Sequence, residues 1–144
     1  MAVVVDASAI AAIMFGEPDG SALADELAGE TLLAPTLIDF ELTNLALKKS
    51  RKRPETTSLI LMALQAALSL PISRVSVPGM EVFALSARTG LSAYDASYVW
   101  VARSRDARLV TLDRALSRAS SERSIEQSCS CTSPATDRRS SATG

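Results

Sequence analysis

The sequence contains no histidine. That absence excludes Ser-His-Asp and Cys-His catalysis, imidazole acid–base chemistry and histidine-ligated zinc. Cysteine is nearly missing too. Cys129 and Cys131 stand close together in a polar segment, which is neither a zinc framework nor a secreted disulfide scaffold. Aromatic residues make up 4% of the chain, so the core must be aliphatic and an extended base-stacking platform is excluded. Neither sign of charge dominates: 15 Lys and Arg against 16 Asp and Glu leave −1, with no global basic field for nucleic acid. Long apolar runs are lacking as well. The run 59–64 stops at Gln65, far short of the roughly 18 residues that span a membrane. No basic region precedes Val3-Val4-Val5, so the start does not read as a signal peptide, and a cytoplasmic protein without membrane contact is expected.

What is present is a chain of 144 residues, 47% of them hydrophobic, enough for one domain with a real core. Val3-Val4-Val5 is β-branched and unbroken, as in a strand covered on both faces. Helical stretches follow at 7–15, stopped by Gly16 and Pro18, and at 21–28, ended by Gly29. A strand at 31–34 leads into a helix over 36–50, with Pro35 near its start. The basic cluster Lys48-Lys49-Ser50-Arg51-Lys52-Arg53 closes that helix before Pro54. The stretch 55–70 has almost no polar face and is expected to be buried all round, in a core or a dimer interface. Then come a strand at 73–77, helices at 78–89 and 92–103, a strand at 108–112 and a helix beginning at Asp113. From residue 120 the composition turns to Ser, Thr, Arg and Asp, so 120–144 is expected to be a disordered or loosely attached tail behind a domain over 1–119. Alternating strands and helices predict an α/β fold with a mostly parallel sheet, whose ligand site lies beyond the carboxyl ends of the strands.

Two acids stand at such ends, Asp6 and Asp113. Glu41 lies inside an amphipathic helix with Leu37, Asn44 and Leu45 as neighbours, where an unpartnered carboxylate is uncommon. Asp39, two residues away, faces elsewhere and reads as a solvated surface acid. Asp95 stands three residues after Ser92, the spacing of a capping box. The four acids are either four separate helix caps or one convergent cluster. Convergent carboxylates repel one another, and a hard divalent cation such as Mg²⁺ or Mn²⁺ compensates for that. Composition and spacing do not choose between the two readings, but the local sequences do.

In order, Val3-Val4-Val5-Asp6-Ala7-Ser8-Ala9, Glu41-Leu42-Thr43-Asn44-Leu45, Leu91-Ser92-Ala93-Tyr94-Asp95-Ala96-Ser97-Tyr98 and Leu109-Val110-Thr111-Leu112-Asp113 resemble the PIN-domain family, and within it the VapC toxins of bacterial toxin–antitoxin pairs. The resemblance covers residues 1–119. It implies a three-layer α/β/α fold and a Mg²⁺- or Mn²⁺-dependent endoribonuclease. Asp6, Glu41, Asp95 and Asp113 match the family's acidic, metal-holding quartet, with Ser8 and Thr111 as supporting hydroxyls. The implied partners are RNA, a VapB-like antitoxin and a second copy of the chain. Such toxins usually close with a last short strand, of which Ser124-Ile125-Glu126 is a poor remnant.

In a chain without histidine, a metal is the economical source of a nucleophilic hydroxide near neutral pH. Asp6, Glu41 and Asp95 are expected to hold one ion, with Asp113 completing that site or helping to hold a second, and cleavage is expected to leave 5′-phosphate and 3′-hydroxyl ends. An acidic cleft repels RNA, so basic residues must guide the backbone: Lys48, Lys49, Arg51, Lys52 and Arg53 first, then Arg103, Arg105 and Arg108. Other phosphate-handling α/β folds fit less well. A phosphoaspartyl phosphatase needs a second Asp where Ser8 stands, and a dinucleotide fold needs a Gly-rich turn that 6–11 lacks. The remaining alternative is a PIN-like scaffold that binds RNA or protein without cutting.

Overall fold

The computed structural model describes residues 1–121. Within them, four strands form one parallel sheet: β1 Ala2–Val5, β2 Thr31–Pro35, β3 Ile72–Val75 and β4 Arg108–Val110. The helices are α1 Ala7–Met14, α2 Gly20–Leu27, α3 Ile38–Lys52, α4 Thr57–Leu68, α5 Gly79–Thr89, α6 Ala93–Ser104 and α7 Arg114–Ser121, with a 3-10 turn at Pro54–Thr56. The strand order is β3-β2-β1-β4. The chain therefore steps outward from β1 to β3 and then returns to the far side of β1. That reversal opens a crevice between β1 and β4 at their carboxyl ends, the place where doubly wound sheets bind ligands.

The sheet is covered on both sides. Val3, Val4 and Val5 have no exposed surface, as a doubly covered central strand requires. Helix α6 packs across β1, β2 and β4 with α5 and α7 beside it, while α1 packs against α2, α3 and α4 in the other helical layer. The architecture is the three-layer α/β/α arrangement that the resemblance implies.

Some local expectations shift. Pro35 does not open the third helix. It ends β2 in register with Val75, at the strand's last position, where a missing N–H costs little. Asp39 is not a free surface acid either: Arg74 on β3 grips it through Nε and an Nη 2.9 Å from Oδ1. The expected all-round burial of the 55–70 stretch is not met among the described residues. In α4 only Ile60 and Ala67 are buried, while Leu59, Leu61 and Met62 are 68%, 58% and 68% exposed. The reason is position: α4 is an outer helix that meets α1 and α3 along one stripe, and nothing in the described chain covers its other side. Helix α7 runs through Ser120 and Ser121, and the rest of the 120–144 segment, with Ser124-Ile125-Glu126, lies outside the described residues.

Candidate active site at the carboxyl edge of the sheet

Asp6 follows β1 directly, and its N–H donates to the Val110 carbonyl of β4 at 3.3 Å, so it sits at the crevice. Its side chain caps α1 by accepting the Ala9 N–H at 2.9 Å. Ser8 Oγ donates to the same carboxylate at 2.8 Å, and Thr111 Oγ1 donates to it at 2.5 Å. The residue is only 6% exposed. Burial pushes the Asp6 carboxyl above the usual aspartate value, and the charge of Asp113 adds to that. The Thr111 hydroxyl, the Ala9 amide and the Ser8 hydroxyl pull against them.

Glu41 projects from the first turn of α3. Its Oε2 accepts a hydrogen bond from the Tyr98 hydroxyl on α6. Burial pushes its carboxyl up, the Tyr98 bond lowers it, and the charges of Asp6 and Asp95 raise it again. The acids therefore repel one another from three elements of the fold.

Asp95 stands in the first turn of α6, where its N–H donates to Ser92 Oγ at 3.1 Å and the Ser92 hydroxyl donates back to Asp95 Oδ2 at 2.8 Å. Asp113 accepts the N–H groups of Ala115 at 2.8 Å and Leu116 at 3.1 Å, capping α7. Its own N–H donates to Thr111 Oγ1 at 2.9 Å. Ser8 Oγ accepts the Leu112 N–H at 3.1 Å. The two hydroxyls thus tie the segment after β4 to Asp6.

Caps and convergence are not alternatives here. Asp6, Glu41, Asp95 and Asp113 all line one cleft of about 250 Å³, together with Ser8, Asn44, Lys48 and Tyr98. Because each acid belongs to the start of a helix, the partial positive charge of four helix N-termini faces the cleft and offsets part of the repulsion. Tyr98 and Asn44 went unrecognised as site residues in the sequence. The available signal was helical spacing, since each stands three residues after an acid of the quartet.

The basic cluster divides. Lys48 lines the acidic cleft, and Lys48, Lys49 and Lys52 line a neighbouring cavity of about 360 Å³ with Ser8 and Leu112. Lys49 is also paired with Glu17 at 2.7 Å and lies over the Phe15 ring at 5.2 Å. Arg51 and Arg53 are exposed at the helix end and border neither space. Arg108 opens β4 at the opposite edge of the sheet and pairs with Glu26, and Arg103 lines a separate cavity with it, so neither borders the acids.

The donor set of the cleft is oxygen-rich: four carboxylates and the Ser8 hydroxyl, with no thiol or imidazole. That chemistry suits a hard cation that keeps several waters, as Mg²⁺ and Mn²⁺ do. Among the described residues, no three of the His, Cys, Asp and Glu side chains are grouped closely enough to enclose an ion by themselves. A cation bound through one or two carboxylates and water needs no such cage. The residues therefore fit the ion that the resemblance implies.

The PIN domain model matches residues 3–122. The chain is similar to VapC ribonuclease Mb0985 of Mycobacterium bovis, 35% identical over 116 residues, covering 80% of this chain and 88% of that protein. Ribonuclease VapC12 of Mycobacterium tuberculosis is 29% identical over 117 residues, covering 81% and 91%. Among solved structures, PAE2754 from Pyrobaculum aerophilum superposes with a TM-score of 0.69 at 29% identity, covering 83% of this chain and 84% of that one. With the family model matched over residues 3–122 and a VapC ribonuclease 35% identical over 80% of this chain, the chain belongs to the PIN-domain family and, within it, to the VapC type.

Proposed function

We propose that the protein is a Mg²⁺- or Mn²⁺-dependent endoribonuclease, the toxin of a toxin–antitoxin pair. The observation that carries the reading is the meeting of Asp6, Glu41, Asp95 and Asp113, from four separate segments, in one cleft at the β1–β4 crevice. The chemistry supplied by a bound ion there is an activated water and neutralised charge on the scissile phosphate. Asp6, Glu41 and Asp95 would hold the ion, directly or through bound water, and Asp113 would complete that site or help to hold a second. Ser8 and Thr111 fix the Asp6 carboxylate by donating to it. Lys48, on the cleft wall, meets a backbone phosphate of the incoming RNA, and Lys49, Arg51, Lys52 and Arg53 extend the positive surface along the end of α3.

The partners follow the same reading. Relatives named as VapC ribonucleases support RNA as substrate and a VapB-like antitoxin as inhibitor. The uncovered apolar side of α4 supports a partner chain, either that antitoxin or a second copy of this protein. Among the described residues no helix is long and apolar enough to cross a membrane.

The test is cleavage of a defined RNA by purified protein, stripped of metal and then resupplied with Mg²⁺ or Mn²⁺. Asp6→Asn protein prepared identically reports any contaminating nuclease. Cleavage that returns with the ion, is absent in the variant and leaves 5′-phosphate and 3′-hydroxyl ends supports the reading. RNA binding without cleavage at any metal concentration overturns it in favour of a non-catalytic scaffold.

A further inference from the structure

Resting on the metal-dependent reading above, we infer that Tyr98 is the positioning residue for Glu41: its buried hydroxyl holds one carboxylate oxygen so that the other is presented to the cleft. Tyr98 stands three residues after Asp95, so α6 delivers an acid and a hydroxyl from the same face. The ring is 2% exposed, and its hydroxyl bridges to α3 by donating to Glu41 Oε2. Packing therefore fixes where the hydroxyl stands.

The other acids are held differently. Asp6 has three donors, Asp95 has Ser92, and Asp113 has two backbone amides. Among the described residues Tyr98 is the sole hydrogen-bond donor to Glu41. A glutamate side chain is long and loses rotamer freedom when fixed, and a half-buried carboxylate without a donor turns towards water. The Tyr98 hydroxyl removes that option while engaging only Oε2. A tyrosine phenol has an ordinary pKa of about 10, so it is a donor at neutral pH.

A tyrosine that merely filled the core would be replaceable by phenylalanine without consequence at the site. Positioning predicts otherwise, because partners of metal-binding carboxylates typically contribute about 10–100-fold to metal affinity or activity. The experiment compares wild type, Tyr98→Phe, Glu41→Gln and the double variant as full chains. Its readouts are Mn²⁺ affinity by calorimetry or paramagnetic resonance, kcat and KM on RNA, and the thermal melt. Tyr98→Phe is expected to lower Mn²⁺ affinity about 10–100-fold and to lower kcat, with KM for RNA unchanged. In the Glu41→Gln background the same change is expected to add nothing, because the hydroxyl acts through Glu41. Wild-type affinity in Tyr98→Phe, or an equal loss in both backgrounds, overturns the inference while leaving the nuclease reading intact. Wild type that neither binds Mn²⁺ nor cleaves RNA overturns both. If Tyr98→Phe does not fold, 3-fluorotyrosine at position 98 keeps ring and hydroxyl with a more acidic donor. A shift in Mn²⁺ affinity then supports the inference, and unchanged affinity overturns it.

Discussion

Thr111 Oγ1 donates to Asp6 Oδ2 at 2.5 Å while accepting the Asp113 N–H at 2.9 Å, joining two acids that stand more than a hundred residues apart in the chain. One hydroxyl thus sets the spacing of the crevice between β1 and β4. It also offsets part of the desolvation of Asp6.

Thr111→Val keeps the shape and removes both hydrogen bonds. The Asp113 N–H and a buried carboxylate each lose a partner, and stability is expected to fall by about 1–3 kcal/mol. Thr111→Ser is expected to retain most of it. Urea midpoints of the three proteins check this, and a Val variant as stable as wild type would show that the hydroxyl carries no such role.

Asp95 and Asp39 make a matched pair of tests. The cap of α6 uses the Asp95 backbone N–H and the Ser92 hydroxyl, so Asp95→Asn leaves it in place. RNA cleavage is expected to fall by orders of magnitude with the fold unchanged. Asp39→Asn breaks the ion pair with Arg74, whose partners are 24% and 40% exposed, and is expected to cost at most about 1 kcal/mol while sparing cleavage. Kinetics and circular dichroism on both variants separate the acid of the cleft from the acid that ties α3 to β3.

Asp6 and Glu41 both titrate above their ordinary values of 3.8 and 4.5 in the folded chain, chiefly because of burial. A carboxyl whose folded pKa is raised binds its proton more tightly in the folded state, so the stability it contributes is full below the ordinary value. That contribution is lost as pH rises through the folded value. Metal-free wild type is therefore expected to lose stability, relative to Asp6→Asn/Glu41→Gln, as pH rises from the carboxylate range towards neutrality. Thermal melts of both proteins across that range give the difference. A difference that stays flat, or that grows on acidification, contradicts the assignment. Mg²⁺ or Mn²⁺ is expected to abolish the loss by stabilising the ionised forms.

Lys48 lines the cleft, whereas Arg51 and Arg53 do not. Lys48→Ala is expected to weaken RNA binding and to reduce the salt slope of log K by about 1, with a smaller change for Arg53→Ala. Binding titrations at several salt concentrations measure both. Equal slopes for wild type and Lys48→Ala would remove Lys48 from the RNA path.

Met62→Glu places a charge on the uncovered side of α4, where Met62 is 68% exposed. The monomer fold is expected to tolerate it, while association with a second copy or an antitoxin weakens. Sedimentation velocity with and without antitoxin checks this. Unchanged association of the variant, or a wild type that stays monomeric with and without antitoxin, counts against an interface on α4.

Sequence alone determined the β1 valines, the helix end at Gly29 and the parallel α/β order. These are legible because they depend on neighbours in the chain: β-branching, breaker residues, and the period of strands and helices. The choice of the four acids as one set, with Ser8 and Thr111 beside them, rests instead on the resemblance of the local sequences to the PIN-domain family. Tertiary structure decided what depends on contacts between distant segments. The order β3-β2-β1-β4 brings Asp6 beside Asp113, and no local pattern contains it. The grip of Arg74 on Asp39 and the bond from Tyr98 to Glu41 join segments 35 and 57 residues apart. The exposure of α4 likewise depends on what lies against it, since hydrophobicity states a need for burial and not the surface that meets it. A sequence lists which groups must be buried, capped or paired, and only the packing of whole elements determines which partner each one receives.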